Sequence, residues 1–183
     1  MARIQPLEPQ NAPDKSRPIL QNLEKALGFA PNLYKSLAHA PSVLEGFLGF
    51  GKALDAGSLS GKLREQIALA IAGANTCDYC ASAHTAIGAM HGLPADELAA
   101  NLRGESADTA TRAALQFALA INAREGFVTD DQVQALRDAG YSEQQVVEVF
   151  AQTIKNIFTN YFNHLAQTEV DFPLVSTGET AAA

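Results

Sequence analysis

The sequence holds no tryptophan, two methionines and two cysteines in 183 residues. So few cysteines exclude a disulfide-held scaffold. Proline is nearly missing from the middle of the chain: only Pro94 falls between Ser42 and Phe172. That leaves long intervals in which helices can run unbroken. No lysine or arginine cluster occurs, and 13 basic residues against 20 acidic give a net charge of −7. This balance argues against a nucleic-acid partner and against an anionic membrane surface. No apolar run approaches the ~20 residues that span a bilayer. Met1 to Pro13 lacks the apolar stretch of a secretory signal, so the expected address is the cytoplasm.

What remains is apolar and helix-forming. Hydrophobic residues make up 47% and charged residues 18% of the chain, enough for a packed core. No segment alternates with period two, so an all-α fold is expected. Residues 1–15 read as an extended N-terminal arm, 16–174 as one helical domain, and 175–183 as a flexible tail. Helices are expected from Ser16 or Arg17 to Leu27, Pro31 to Ala38, Pro41 to Asp55, Ser60 to Ala74, Cys77 to His91, Pro94 to Leu102 and Asp108 to Arg124. Thr129/Gln132 and Ser142/Gln145 have capping-box spacing and open two more. The last carries an apolar stripe that includes Val147, Phe150, Ile154, Phe158, Tyr161 and Leu165. The spacing Glu65-x11-Cys77-x2-Cys80 is echoed by Glu148-x11-Asn160-x2-Asn163, as an old duplication would leave it; two unrelated amphipathic helices are the plainer alternative.

The two cysteines fall in one segment, Cys77-Asp-Tyr-Cys80-Ala-Ser-Ala-His84. At the start of a helix, Cys80 and His84 share a face and Cys77 lies within reach of Cys80. A helix N-terminus favours thiolate over thiol. An imidazole four residues on can take the Cys80 proton, and two thiols with one base suffice for a dithiol–disulfide cycle. The helix dipole favours Cys77 as the attacking sulfur and His84 favours Cys80. A base in contact moves a particular proton, so Cys80 is assigned the attack and Cys77 the resolving role. Two other readings stand beside this one. The segment supplies three ligands of a zinc site, one short of a structural centre, and free cysteines are often inert core residues.

Glu65-x11-Cys77-x2-Cys80-x3-His84 resembles the motif of the AhpD-like alkylhydroperoxidases of the carboxymuconolactone decarboxylase superfamily. Leu59-Ser60, Arg64-Glu65-Gln66-Ile67 and Gly92-Leu93 fit on its flanks. Asn160 to Asn163 and Asp171-Phe172-Pro173 resemble the C-terminal segment of the peroxidase-related branch. The likeness runs from about Gly28 to Pro173. It implies a helical bundle of two related halves, assembled as a trimer or a hexamer, and a peroxidase with no cofactor and no metal. It also implies that Cys80 attacks a peroxide and becomes a sulfenic acid, which Cys77 captures as a disulfide. Glu65 and His84 would relay protons, and a lipoylated protein or another dithiol would reduce the disulfide. The sequence departs from the family at Tyr79, where members often carry a histidine. A phenol titrating near ~10 cannot replace that base.

Among the other residues, Tyr79 and His91 are candidates to contact substrate, Tyr79 lining a pocket or packing in the core and His91 lying seven residues beyond His84. A surface histidine at a helix end is the plainer reading of His91. His39 and His164 are read as structural or exposed, Gly88 as a site of close helix packing, and Asn160 and Asn163 as partners of buried backbone. A thiol-dependent peroxidase is the leading expectation. The alternatives are a lactone decarboxylase-like lyase, a non-catalytic redox-sensing module and a zinc-stabilised domain.

Overall fold

A computed structural model describes residues 1–178. Nine α-helices follow a short 3₁₀ turn: α1 (Arg17–Leu27), α2 (Asn32–Leu37), α3 (Pro41–Asp55), α4 (Gly61–Ala74), α5 (Asp78–Met90), α6 (Ala95–Leu102), α7 (Thr109–Ala123), α8 (Asp130–Asp138) and α9 (Glu143–Ala166). No strand occurs among the described residues, so the fold is all-α as expected. Each expected helix is present within one or two residues of its expected ends, and both capping boxes form.

Helix α4 is the centre of the bundle, in contact with α5, α6, α7 and α9. Its run from Gln66 to Ala72 is buried on every side. One flank of α4 joins Leu69 and Ala72 to the core that includes Leu44, Leu33, Tyr79 and both cysteines. The other joins Ile67 and Ile71 to Leu115, Ile121 and Val149. Small residues set the spacing. A Cβ on Gly73 would collide with the Leu102 carbonyl, and one on Gly88 would lie 2.7 Å from Leu98 Cδ2, so α6 packs against both α4 and α5 only because these positions are bare.

Three features go beyond the sequence reading. The N-terminal arm contains the 3₁₀ turn and lies against the body, with Arg3 N–H donating to the Ala166 carbonyl and Leu7 N–H to the Lys35 carbonyl. The start of the expected flexible tail is fixed: Val175 N–H donates to Ser82 Oγ at 2.9 Å and Thr177 N–H to Asp78 Oδ1 at 2.8 Å. Positions 179–183 of that tail lie outside the described residues.

The third feature is α9, which is turned inside out. Its buried face is mostly polar and includes Gln152, Thr153, Asn156, Thr159, Asn160 and Asn163. The apolar stripe faces outward, with Val147 65% and Leu165 60% exposed. Part of the polar face is satisfied within the helix, through Thr153 Oγ1 to the Val149 carbonyl and Asn156 Nδ2 to the Gln152 carbonyl. Hydrophobic periodicity identifies the helix and does not say which side meets the core; of the stripe, Val146 and Ile157 still pack against it.

Candidate active site

The site is made by the break between α4 and α5. Thr76 N–H donates to the Gly73 carbonyl and Cys77 N–H to the Ala72 carbonyl, the paired bonds of a Schellman motif. The motif needs a left-handed residue, and Thr76 supplies it at φ 51°. A β-branched residue is strained there. The turn folds α5 back along α4, so residues nineteen apart in sequence meet: His84 Nδ1 lies 2.7 Å from Glu65 Oε2. On a continuous helix the Glu65–Cys77 offset would separate the two by ~18 Å. The echoed Glu148 illustrates this. It sits on unbroken α9 and turns instead to the Ser58 and Leu59 amides before α4.

Cys77 is the N-cap of α5, and its Sγ accepts the Cys80 N–H at 3.4 Å. Both thiols are free and buried, at 1% and 2% exposure. The Cys80 sulfur is thus enclosed, though its surroundings are polar. Asn163 Nδ2 donates to Cys80 Sγ at 3.2 Å, and Thr159 Oγ1 lies 4.0 Å from the same sulfur.

These contacts sort the protons. The Cys77 thiol donates to Cys80, His84 places positive charge nearby, and the Asn163 and Asn160 amides add donors; against the cost of burial, together they bring Cys80 down to about 7. The Cys77 thiol is pushed up by the hydrogen bond it gives to Cys80 and by burial. Burial alone would raise Glu65 and lower His84. The charge and hydrogen bond each offers the other outweigh it, so the carboxyl is held down and the imidazole raised. These contacts favour a thiolate at Cys80, a thiol at Cys77 and a charged imidazolium–carboxylate pair, two sulfurs and an acid–base pair on neighbouring elements.

Tyr79 shares a core cluster with both cysteines. Its hydroxyl accepts the Leu33 N–H at 3.1 Å, and its ring meets Phe172 edge-on at 5.9 Å. It fastens α2 and the C-terminal segment to α5. His91 caps the end of α5 with an exposed ring against Gly61; its charge reaches Glu65 without a hydrogen bond. His39 Nε2 pairs with the Gln5 carbonyl, a structural contact of the N-terminal arm. Asn163 and Asn160 bond side chains, not the backbone expected of them, with Asn75 Nδ2 donating to Asn160 Oδ1 at 3.1 Å. Among the described residues no three His, Cys, Asp or Glu side chains converge to hold a metal ion.

Two further residues join the site without a signal in the sequence. The charges of Cys80 and Glu65 add to burial in raising the half-buried Tyr34 phenol. Lys155, on α9, acts electrostatically on both Glu65 and His84. Lys155 also lines a cleft of about 290 Å³ between α3 and α9, walled by Val43, Phe47, Phe50, Ile154 and Phe158. Phe47 and Phe158 stack at 5.2 Å on its wall. Both residues lie far in sequence from the cysteine motif, and only the packing of α2 and α9 on α5 brings them in.

The Carboxymuconolactone decarboxylase family pattern matches residues 41–123. No protein of curated function matches the chain by sequence. Among solved structures, a peroxidase-related protein from Ralstonia eutropha with an alkylhydroperoxidase AhpD core is similar at TM-score 0.83 and 28% identity, over 93% of this chain and 92% of that one. A peroxidase-related protein from Silicibacter sp. TM1040 shares the fold at TM-score 0.80 and 22% identity, over 91% and 92%. The debrominase Bmp8 aligns at TM-score 0.78 and 25% identity, over 97% and 95%.

Proposed function

We propose that this chain, an AhpD-like member of the carboxymuconolactone decarboxylase superfamily, is a thiol-dependent peroxidase acting on hydrogen peroxide or organic hydroperoxides. The observation that carries the reading is the Cys80 sulfur, held toward thiolate by Cys77 and Asn163, within electrostatic reach of the imidazole that pairs with Glu65 at 2.7 Å.

In the first step the Cys80 thiolate attacks the terminal oxygen of ROOH. An S–O bond forms, the O–O bond breaks, and RO⁻ leaves. His84 gives its proton to the leaving oxygen, so the products are Cys80–SOH, ROH and a neutral imidazole. Cys77 then attacks the sulfenic sulfur; its proton leaves with the hydroxyl as water, and the Cys77–Cys80 disulfide forms. An external dithiol supplies two electrons and two protons to restore the thiols, one of which returns its proton to His84. A lipoylated protein or another dithiol is the proposed partner, and a reducing cytoplasm the proposed setting.

The apolar cleft gives organic hydroperoxides a path toward the site. Lys155 and Thr159 are one turn apart on α9, a rise of ~6 Å, and Thr159 touches Cys80. The part of the outward α9 stripe that does not wall the cleft, with Val147, Tyr161 and Leu165 exposed, is the proposed contact between copies of the chain in a trimer or hexamer.

Peroxide consumption with dithiothreitol as reductant tests the reading. Wild type is expected to turn over, and Cys80→Ser to consume peroxide no faster than buffer. Normal turnover by that variant would overturn the assignment.

A second reading draws on the likeness to Bmp8 and on the aromatic wall of the cleft. The same dithiol carries the two electrons needed to replace an aryl C–Br bond by C–H, releasing bromide. Bromide release from a brominated pyrrole, with no peroxide turnover, would favour it.

A further inference from the structure

We propose that Asn163 is a catalytic residue: its Nδ2–H holds the Cys80 sulfur, and its Oδ1 accepts the O–H of a bound hydroperoxide. The second half of this statement rests on the peroxidase reading; the first does not.

In the Glu148 echo of the motif, Asn160 and Asn163 stand at the positions of Cys77 and Cys80, and α9 lays both against the Cys80 sulfur. Asn163 Nδ2 donates to Cys80 Sγ at 3.2 Å. The side chain is 4% exposed, and its Oδ1 is buried with no partner. Asn160 Nδ2, on a fully buried residue, is likewise unpaired by any nitrogen or oxygen, while its Oδ1 is held by Asn75. Buried carboxamides rarely leave a polar atom idle, because the desolvation cost is not recovered. An unpaired acceptor on the amide that already touches the nucleophile marks where a donor belongs.

A hydroperoxide supplies that donor on one oxygen only. Its terminal oxygen carries the hydrogen, and its inner oxygen carries the alkyl group. An O–H donated to Asn163 Oδ1 therefore sets the terminal oxygen beside the sulfur and leaves the O–O bond pointing away from it. That orientation suits the displacement described above, with the Cys80 lone pair entering one end and the electron pair leaving on RO⁻. No other residue need change protonation for this contact.

The remaining groups around Cys80 do different work. Cys77 and His84 face it from α5, with Glu65 of α4 behind His84. Tyr34 approaches from α2, Thr159 and Asn160 from α9, and Lys155 of α9 acts on the Glu65–His84 pair. Asn163 alone combines a hydrogen bond to the sulfur with an unpaired acceptor.

The test uses the full chain and two readouts. Alkylation of Cys80 by iodoacetamide, followed by peptide mass across pH, gives the thiolate titration without any peroxide. Asn163→Ala is expected to raise its midpoint by about one pH unit, and Asn163→Asp, which sets a carboxylate beside the sulfur, by more. The rate of hydrogen peroxide reaction, compared at equal thiolate fraction, is expected to fall about tenfold further in Asn163→Ala. Should Asn163→Ala not fold, Asn163→Asp decides the titration, and Asn163→Ser, tested the same way, decides the peroxide rate. Wild-type titration in the variants would overturn the sulfur contact. A shifted titration with a wild-type corrected rate would overturn the orienting role. A shifted titration in a protein that never reacts with peroxide would leave the sulfur contact standing and remove the peroxidase reading.

Discussion

The Glu65 carboxylate and the His84 imidazole pair at 2.7 Å across the turn between α4 and α5. Each is mostly enclosed, with 14% and 19% of its side chain exposed. The pair keeps a cation near Cys80. Replacing Glu65 by Gln removes the charge that raises His84, so the imidazole becomes neutral near pH 7 and Cys80 loses its support. Cys80 should titrate about one pH unit higher, and its thiolate reactivity at pH 7 should fall about fivefold. Iodoacetamide alkylation checks this directly.

The same pair has a pH signature in stability. Glu65 is held below its ordinary 4.5, so its contribution is complete above 4.5 and is lost as pH falls through the folded value. His84 is raised above its ordinary 6.5, so its contribution is complete below 6.5 and is lost as pH rises through the folded value. The difference in Tm between wild type and Glu65→Gln should therefore be largest between those two values and shrink on either side. A pH-independent difference would mean that Glu65 stabilises by packing alone.

Because Cys80 is brought to about 7, its reaction with peroxide should rise with pH and reach half its limiting rate near there. A pH–rate profile in stopped flow reads this, and a midpoint close to the ordinary cysteine value of 9.0 would contradict it.

Thr76 spends strain to make the turn. Thr76→Gly should keep the φ of 51° at no steric cost and raise stability by up to about 1 kcal/mol, after allowing for glycine's freedom in the unfolded chain. Gly73→Ala should act in the opposite direction, because its methyl meets the Leu102 carbonyl of α6. A loss of about 2 kcal/mol or more is expected. Urea melts of both variants check the pair.

Local chemistry was readable in the sequence. Proline, the capping boxes and the apolar spacing placed every helix, and the Cys77–Cys80–His84 spacing placed three site residues on or beside one turn. The long-range contacts were not readable in the same way. Glu65 entered through a family resemblance, and the Schellman turn at Thr76 is what gives that spacing its geometry. Asn163, Tyr34 and Lys155 reach the site through packing between helices, which periodicity does not encode. The α9 stripe shows the limit most clearly: an amphipathic pattern names two faces and does not say that the polar one lines an enclosed thiol. Tyr79 reads from sequence as a packing residue, but its partners Leu33 and Phe172 lie at opposite ends of the chain and are not legible there.

The division of labour between the two sulfurs is tested most directly by intact mass after one equivalent of hydrogen peroxide. Wild type should lose two hydrogens as the disulfide forms, Cys77→Ser should gain one oxygen trapped on Cys80, and Cys80→Ser should remain unmodified. An oxygen gained by Cys80→Ser and not by Cys77→Ser would contradict the account, because the attacking sulfur would then be Cys77.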